Sequence, residues 1–264
     1  MTGPDERLDD GLEEALAALA ASPRPLVALD FDGVLAPLVD DRDAARPLAR
    51  SSAALEALAG LEGDREIALA LVSGRPLASL VPLAAPPAAA ALVGSHGAEV
   101  RMPGAEEPSA PLDAWQEALL GDVVARARDV VAEHPGTDLE IKPAGTVLHT
   151  RTADVATASA AQRALVDGPG RLPGVRVLRG KDVVELAVLD VDKGRSLEAL
   201  REDLGATAVL YAGDDVTDEH AFAVLRDGDV GVKVGGGGTA ARHRVDGPED
   251  VALLLERVLA LRSA

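Results

Sequence analysis

The chain has 264 residues, no cysteine and a formal net charge of -18 at pH 7. Without cysteine, disulfides, thiolate catalysis and thiolate-held zinc are excluded. The acidity argues against nucleic acid or an anionic membrane as partner, because both demand a basic footprint. Aromatics are only 2%, so the core must be built from Ala, Val and Leu, and any anionic small substrate would need a local cluster of cations to hold it.

Met1 to Asp10 is acidic and lacks the apolar stretch of a signal peptide, and no segment approaches the length of a membrane span, so a cytoplasmic protein, as a monomer, is the expectation. Leu8, Leu12, Leu16 and Leu19 recur at helical spacing, which predicts an amphipathic helix over 7–21. Leu26-Val27-Ala28-Leu29, bounded upstream by Pro23 and Pro25, reads as a strand buried on both faces. It runs out into Asp30-Phe31-Asp32-Gly33, where Gly33 permits a sharp turn and two carboxylates can face one small volume. A helix is expected over 48–58 and a buried strand over 66–72, stopping at Ser73-Gly74-Arg75-Pro76. Another helix follows, since Pro suits a first helical turn. A third strand, 90–93, stops at Gly94-Ser95-His96-Gly97-Ala98-Glu99. Strand, polar glycine-containing loop and helix in repetition are the rhythm of an α/β fold with a doubly wound, Rossmann-like parallel sheet.

That rhythm breaks at residues 103–111, rich in Pro, Gly and Glu. A long helix over 113–133 with the lone Trp115, strands over 138–142 and 146–151, a helix over 153–166, and strands over 175–178 and 183–188 predict a smaller α+β layer with antiparallel pairing. The first rhythm resumes with a helix opening at Lys193-Gly194, a buried strand over 206–212 that ends in Gly213-Asp214-Asp215-Val216-Thr217-Asp218-Glu219, a strand over 230–234 before Gly235–Gly238, and a closing helix over 248–261. The expected organisation is a core of residues 1–100 and 190–264 interrupted by an inserted cap of residues 101–189.

Acids collect where core strands end. Asp30, Asp32, Asp214, Asp215 and Asp218 would repel strongly if they converged, and a magnesium ion held by carboxylates, phosphate oxygens and water resolves the repulsion. Asp30 then suits a nucleophile, because an ionised carboxylate needs no base, and Asp32 suits the acid that protonates a departing oxygen and later activates water. Ser73 and Gly74 offer a hydroxyl and amides, and Lys193 a full charge, to phosphate oxygens. Each of these short motifs also has a plainer reading: Asp-x-Asp-Gly as a turn, Ser73-Gly74 as a strand-to-helix corner, Lys193-Gly194 as a solvated helix start. Three acids within Asp214–Asp218 exceed what helix capping requires.

The set Asp30-x-Asp32-Gly33, Ser73-Gly74-Arg75, Lys193-Gly194 and Gly213-Asp214-Asp215-x-Thr217-Asp218-Glu219 resembles the haloacid dehalogenase-like phosphohydrolases. More narrowly the chain is similar to the trehalose-6-phosphate phosphatases, through Gly94-x-His96-Gly97-x-Glu99, Glu140-x-Lys142 and His149-x-Arg151. The resemblance covers roughly residues 26–234 and implies hydrolysis of trehalose 6-phosphate, an aspartyl-phosphate on Asp30, and magnesium held by Asp30, the backbone carbonyl of Asp32 and the distal acids Asp214, Asp215 and Asp218. It also implies substrate contacts from Arg75, His96, Glu99, Glu140, Lys142, His149, Arg151 and Glu185. Period two would put His149 and Arg151 on one side of a strand. Val34 replaces the family's usual Thr, and Glu185-Leu186-Ala187-Val188 replaces Glu-x-Arg-Pro, which opens the identity of the sugar. Another sugar phosphate as substrate, a receiver-like signalling domain, or a silent sugar-phosphate-binding protein are the alternatives.

Overall fold

A computed structural model describes residues 8–180 and 182–264; most of the acidic stretch read at the start of the chain lies outside them. The chain divides into two compact units, 1–108 with 191–264, and 109–190. The inserted unit thus begins later than the expected residue 101, because Glu99–Arg101 forms a short antiparallel strand on the first unit's sheet.

The first unit is an α/β layer structure. Its strands are β1 (Pro25–Leu29), β2 (Ala68–Val72), β3 (Ala90–Gly94) and β4 (Glu99–Arg101). After the insertion, 5–8 being the inserted strands below, come β9 (Ala208–Gly213), β10 (Val230–Val234) and β11 (His243–Val245). They form one seven-stranded sheet in the order β11-β10-β9-β1-β2-β3-β4, parallel except for β4. Chain progression runs one way from β1 and the other way from β9. The pair β1–β9, with Leu29 opposite Ala212, is therefore the switch point, where open α/β sheets leave a crevice beyond the strands' carboxyl ends.

Residues alternate along the central strands between two apolar layers. Val27, Leu29, Leu69 and Leu71 meet helices α1 (Asp10–Ala20), α2 (Ala49–Ala59), α3 (Leu77–Ala84) and α8 (Pro248–Ser263). Leu26, Ala28, Ala70 and Val72 meet α6 (Lys193–Asp203) and α7 (Glu219–Ala223). Both faces are covered, which is why these strands read as unbroken apolar runs. Leu12, Leu16 and Leu19 of α1 are fully buried at the spacing that predicted the helix, and Asp9 caps it through Leu12 N at 2.9 Å. At the amino ends of the strands, Arg262 of α8 is buried and donates to the carbonyls of Ala20, Ser22, Pro23, Arg65 and Glu66, just ahead of β1 and β2.

The second unit has strands β5 (Asp138–Lys142), β6 (Gly145–His149), β7 (Arg176–Gly180) and β8 (Val183–Ala187), all antiparallel in the order β5-β6-β8-β7. Helices α4 (Ala114–Glu133) and α5 (Val155–Asp167) cover one sheet face, packing Val123, Ala127, Ala161 and Leu165 on Leu148, Val184 and Leu186. Register places Glu140, Val147 and Glu185 in one row, flanked by Lys142 and His149, on the face those helices leave bare. Among the described residues no helix is long and apolar enough to cross a membrane.

Candidate active site

At the carboxyl ends of the first unit's strands, a cavity of about 480 Å³ is lined by Asp30, Asp32, Ser73, Gly74, Arg75, His96, Lys193, Asp214 and Asp215. A second cavity of about 420 Å³, at the strands' amino ends, mixes Arg24 with Asp64 and Glu66 and carries no hydroxyl, so it lacks the donor set a phosphate needs.

The acids are drawn together by glycine. Gly33 holds φ +74°, and a Cβ there would fall 2.1 Å from Asp214 Oδ2. A Cβ at Gly213 would fall 2.3 Å from Asp218 Cγ. With neither present, one carboxylate oxygen from each of Asp30, Asp214 and Asp218 lies within 4.8 Å of the other two. Lys193, at the first position of α6 and 2% exposed, bridges two of them, with Nζ 2.6 Å from Asp30 Oδ2 and 2.7 Å from Asp218 Oδ1. Asp30 Oδ1 takes the Phe31 amide at 2.6 Å, while Asp218 also accepts from Tyr211 Oη at 2.6 Å and Asp215 N at 2.8 Å.

Burial dominates the protonation of this cluster. It pushes the Asp30 carboxyl up to about 7, although the Lys193 charge pulls the other way and Asp218 adds to the rise. Asp214 is pushed up to about 6, by burial and then by the Asp218 charge. Burial works against the charge on Lys193, yet Asp30 and Asp218 outweigh it and its pKa rises. Tyr211 is held protonated, by burial and then by Asp218. Three converging acids, two of them buried, against one bridging ammonium have room for further positive charge. The hard oxygen donors of Asp30, Asp214 and Asp218, crowded by glycines that no side chain could replace, fit a magnesium ion.

The remaining predicted residues divide. Ser73, 1% exposed, keeps its hydroxyl proton while Oγ accepts the Arg75 amide at 3.2 Å. Gly74 lies under the His96 ring, and a Cβ there would come within 2.5 Å of Cε1. Ser95 and His96 both adopt left-handed backbone, φ 50° and 57°, a strained choice for two successive non-glycine residues. Glu99 is what holds that loop. It is 7% exposed, and its two oxygens accept from Ser95 Oγ at 2.5 Å and Leu77 N at 3.0 Å, so it secures the loop and the start of α3. Asp215 is likewise not in the acidic trio; its carboxylate accepts the Val216 amide at 2.6 Å, capping the following turn. Asp32 also lies outside the trio, and its side chain is gripped by Arg75, with Nε to Oδ2 and Nη2 to Oδ1 both at 2.6 Å.

In the second unit, His149 Nε2 lies 3.0 Å from Glu140 Oε2, a hydrogen bond, and Lys142 Nζ lies 3.2 Å from Glu185 Oε2, an ion pair, both on the bare sheet face. Arg151 does not share that face by alternation: β6 ends at His149, and Arg151 is exposed in the turn beyond.

Two residues escaped the reading of the sequence. Tyr211, the lone tyrosine, steadies Asp218 from within β9. Lys233, 4% exposed, donates through Nζ to the Asp214 carbonyl. A single cation inside the apolar run Val230–Val234 was the available signal for it.

A family model described as trehalose-phosphatase matches residues 28–244. The chain belongs to the trehalose-phosphatase family. Among its relatives in that family, a trehalose-phosphate phosphatase of Mycobacterium avium is 36% identical over 255 residues, covering 90% of this chain and 63% of that protein. A bifunctional trehalose-6-phosphate synthase/phosphatase of Thermoproteus tenax is 34% identical, covering 90% of this chain and 32% of its own length. The chain thus spans 63% of its mycobacterial trehalose-phosphatase relative. The fold is that of the Aspergillus fumigatus trehalose-6-phosphate phosphatase, with a TM-score of 0.65 at 24% identity over 94% of this chain and 97% of that one.

Proposed function

We propose that this chain is a magnesium-dependent phosphatase that hydrolyses trehalose 6-phosphate to trehalose and phosphate. The observation that carries the reading is the trio of a buried Asp30, a half-buried Asp214 and a buried Asp218, with Lys193 bridging the first and last, at the sheet's switch point. Asp30, Asp214 and Asp218, with the Asp32 backbone carbonyl, would hold the cation, which neutralises charge on the phosphate oxygens when bound.

In the proposed reaction a carboxylate oxygen of Asp30 attacks phosphorus, and the bond from phosphorus to the sugar oxygen breaks. Asp32 gives its proton to that oxygen, releasing the sugar and leaving an aspartyl-phosphate. Water then attacks phosphorus, gives a proton to Asp32, and the bond to Asp30 breaks, restoring both carboxyls. Lys193 has a third N–H beyond the two given to Asp30 and Asp218, and it faces the phosphate role with the Ser73 hydroxyl. His96, held over Gly74 at the cavity wall, borders the substrate. Glu140, Lys142, His149 and Glu185, on the bare face of the second sheet, together with Arg151, supply sugar-recognising polar groups; this supports a specificity role for residues 109–190.

The test is phosphate release across a panel of sugar phosphates, with Asp30→Asn as the control. Trehalose 6-phosphate should lead the panel and the variant should release nothing above background while still binding substrate. A flat panel refutes the substrate, and turnover by Asp30→Asn refutes the nucleophile.

A further inference from the structure

The guanidinium of Arg75 lines the cavity but is turned toward the protein. It is 5% exposed and lies 5.4 Å above the centroid of the Phe31 ring, between the two aspartates of the opening motif in sequence. Nε and Nη2 grip both oxygens of Asp32, and the second Nη2 proton goes to the Arg42 carbonyl at 2.8 Å. Three of its five N–H groups are thereby engaged inside the protein. A fork of this kind fixes a carboxylate in plane and direction as no single contact does. Asp32 itself is 28% exposed at its side chain, so a carboxylate open to the cavity is held in place from the protein side by this grip.

We infer that Arg75 is a positioning residue that acts through Asp32, and that it does not serve as a contact to the substrate. This rests on the proposed phosphatase reading, in which Asp32 is needed twice, once to protonate the departing sugar oxygen and once to accept a proton from the attacking water. Loss of the fork leaves the attack by Asp30 intact and handicaps both proton transfers. The two halves respond differently to the leaving group. An alkoxide departing from a sugar needs the proton, whereas nitrophenolate departs without one.

The experiment compares Arg75→Lys and Arg75→Met with the wild type on p-nitrophenyl phosphate and on the sugar phosphate that the wild type hydrolyses best. With the aryl substrate, each variant should release one equivalent of nitrophenol in a burst within about threefold of the wild-type rate, then turn over slowly as the aspartyl-phosphate accumulates on intact protein. With the sugar phosphate, kcat should fall by about 10²-fold or more while KM stays within about threefold, the span expected for loss of a positioned acid. Arg75→Lys should behave like Arg75→Met, because one ammonium cannot serve both Asp32 oxygens, and it keeps the test alive if removal of the charge prevents folding. In an Asp32→Asn background, Arg75→Met should add no further loss.

A KM raised more than about tenfold with kcat preserved would make Arg75 a substrate contact and overturn the inference. Equal loss on both substrates without a burst would overturn it too, as would full additivity with Asp32→Asn. Failure of the phosphatase reading is distinct: wild type would then hydrolyse neither substrate, or Asp30→Asn would hydrolyse both.

Discussion

Asp30→Asn should stabilise the metal-free protein, and the size of the gain should depend on pH. The folded environment pushes Asp30 from an ordinary 3.8 up to about 7, chiefly by burial, with Lys193 opposing and Asp218 reinforcing. Between those values the folded chain binds a proton that the unfolded chain does not, so stability falls as pH rises through the window and is level above it. At about 1.36 kcal/mol for each tenfold change, holding Asp30 ionised above the window costs on the order of 4 kcal/mol, and at about pH 5 less than half of that. Asparagine keeps the shape and the acceptor for the Phe31 amide without the charge, but its NH2 then faces Lys193 Nζ, which donates to Asp30 Oδ2 in the wild type, so part of the gain is lost at every pH. In chelator, the melting temperature of the variant relative to wild type should therefore be higher at about pH 8 than at about pH 5, by several degrees and at most roughly 10 °C. Saturating magnesium should shrink the difference at the higher pH, because the cation offsets the same charge. Thermal denaturation followed by circular dichroism, with and without chelator, measures all four conditions. A difference between variant and wild type that is the same at both pH values would refute the electrostatic account of the site.

Gly33→Ala should cost about 1–3 kcal/mol and abolish magnesium binding in calorimetric titration, since its Cβ would land 2.1 Å from Asp214 Oδ2 on backbone at φ +74°. Lys233→Met removes the donor to the Asp214 carbonyl, and magnesium affinity should drop about tenfold with the melting temperature reporting any loss of fold. Ser51→Ala should raise stability by about 1 kcal/mol in urea denaturation, because the Ser51 hydroxyl is 0% exposed in α2 and has no hydrogen-bond partner among the described residues.

What the sequence made legible was set by local pattern. Leu26–Leu29 between prolines and an acidic corner announced β1 because burial on both faces erases alternation, and Leu12, Leu16 and Leu19 announced α1 by spacing alone. β4 and β11 went unread because three residues carry no period, and β4 in particular runs against its neighbours at the edge of the sheet. The acidic cluster could be anticipated as a set, but its membership could not. Asp215 and Asp218 sit in one motif, yet the turn between them sends Asp218 inward to Lys193 and leaves Asp215 capping outside. Glu99 has the composition of a sugar acceptor, and only its burial and its two partners reveal a loop anchor. The Arg75–Asp32 fork joins residues 43 positions apart on neighbouring strand ends, a proximity that exists only once β1 and β2 have paired.

Arg262 carries a consequence for durability. One guanidinium fastens five carbonyls at the edge of the sheet remote from the acids, so the hold that keeps α8 in place shares no atom with the chemistry. Shelf life and the chemistry of the acidic centre are therefore separately adjustable in this chain. Reinforcing the remote edge is a route to a hardier protein that leaves its charged centre untouched.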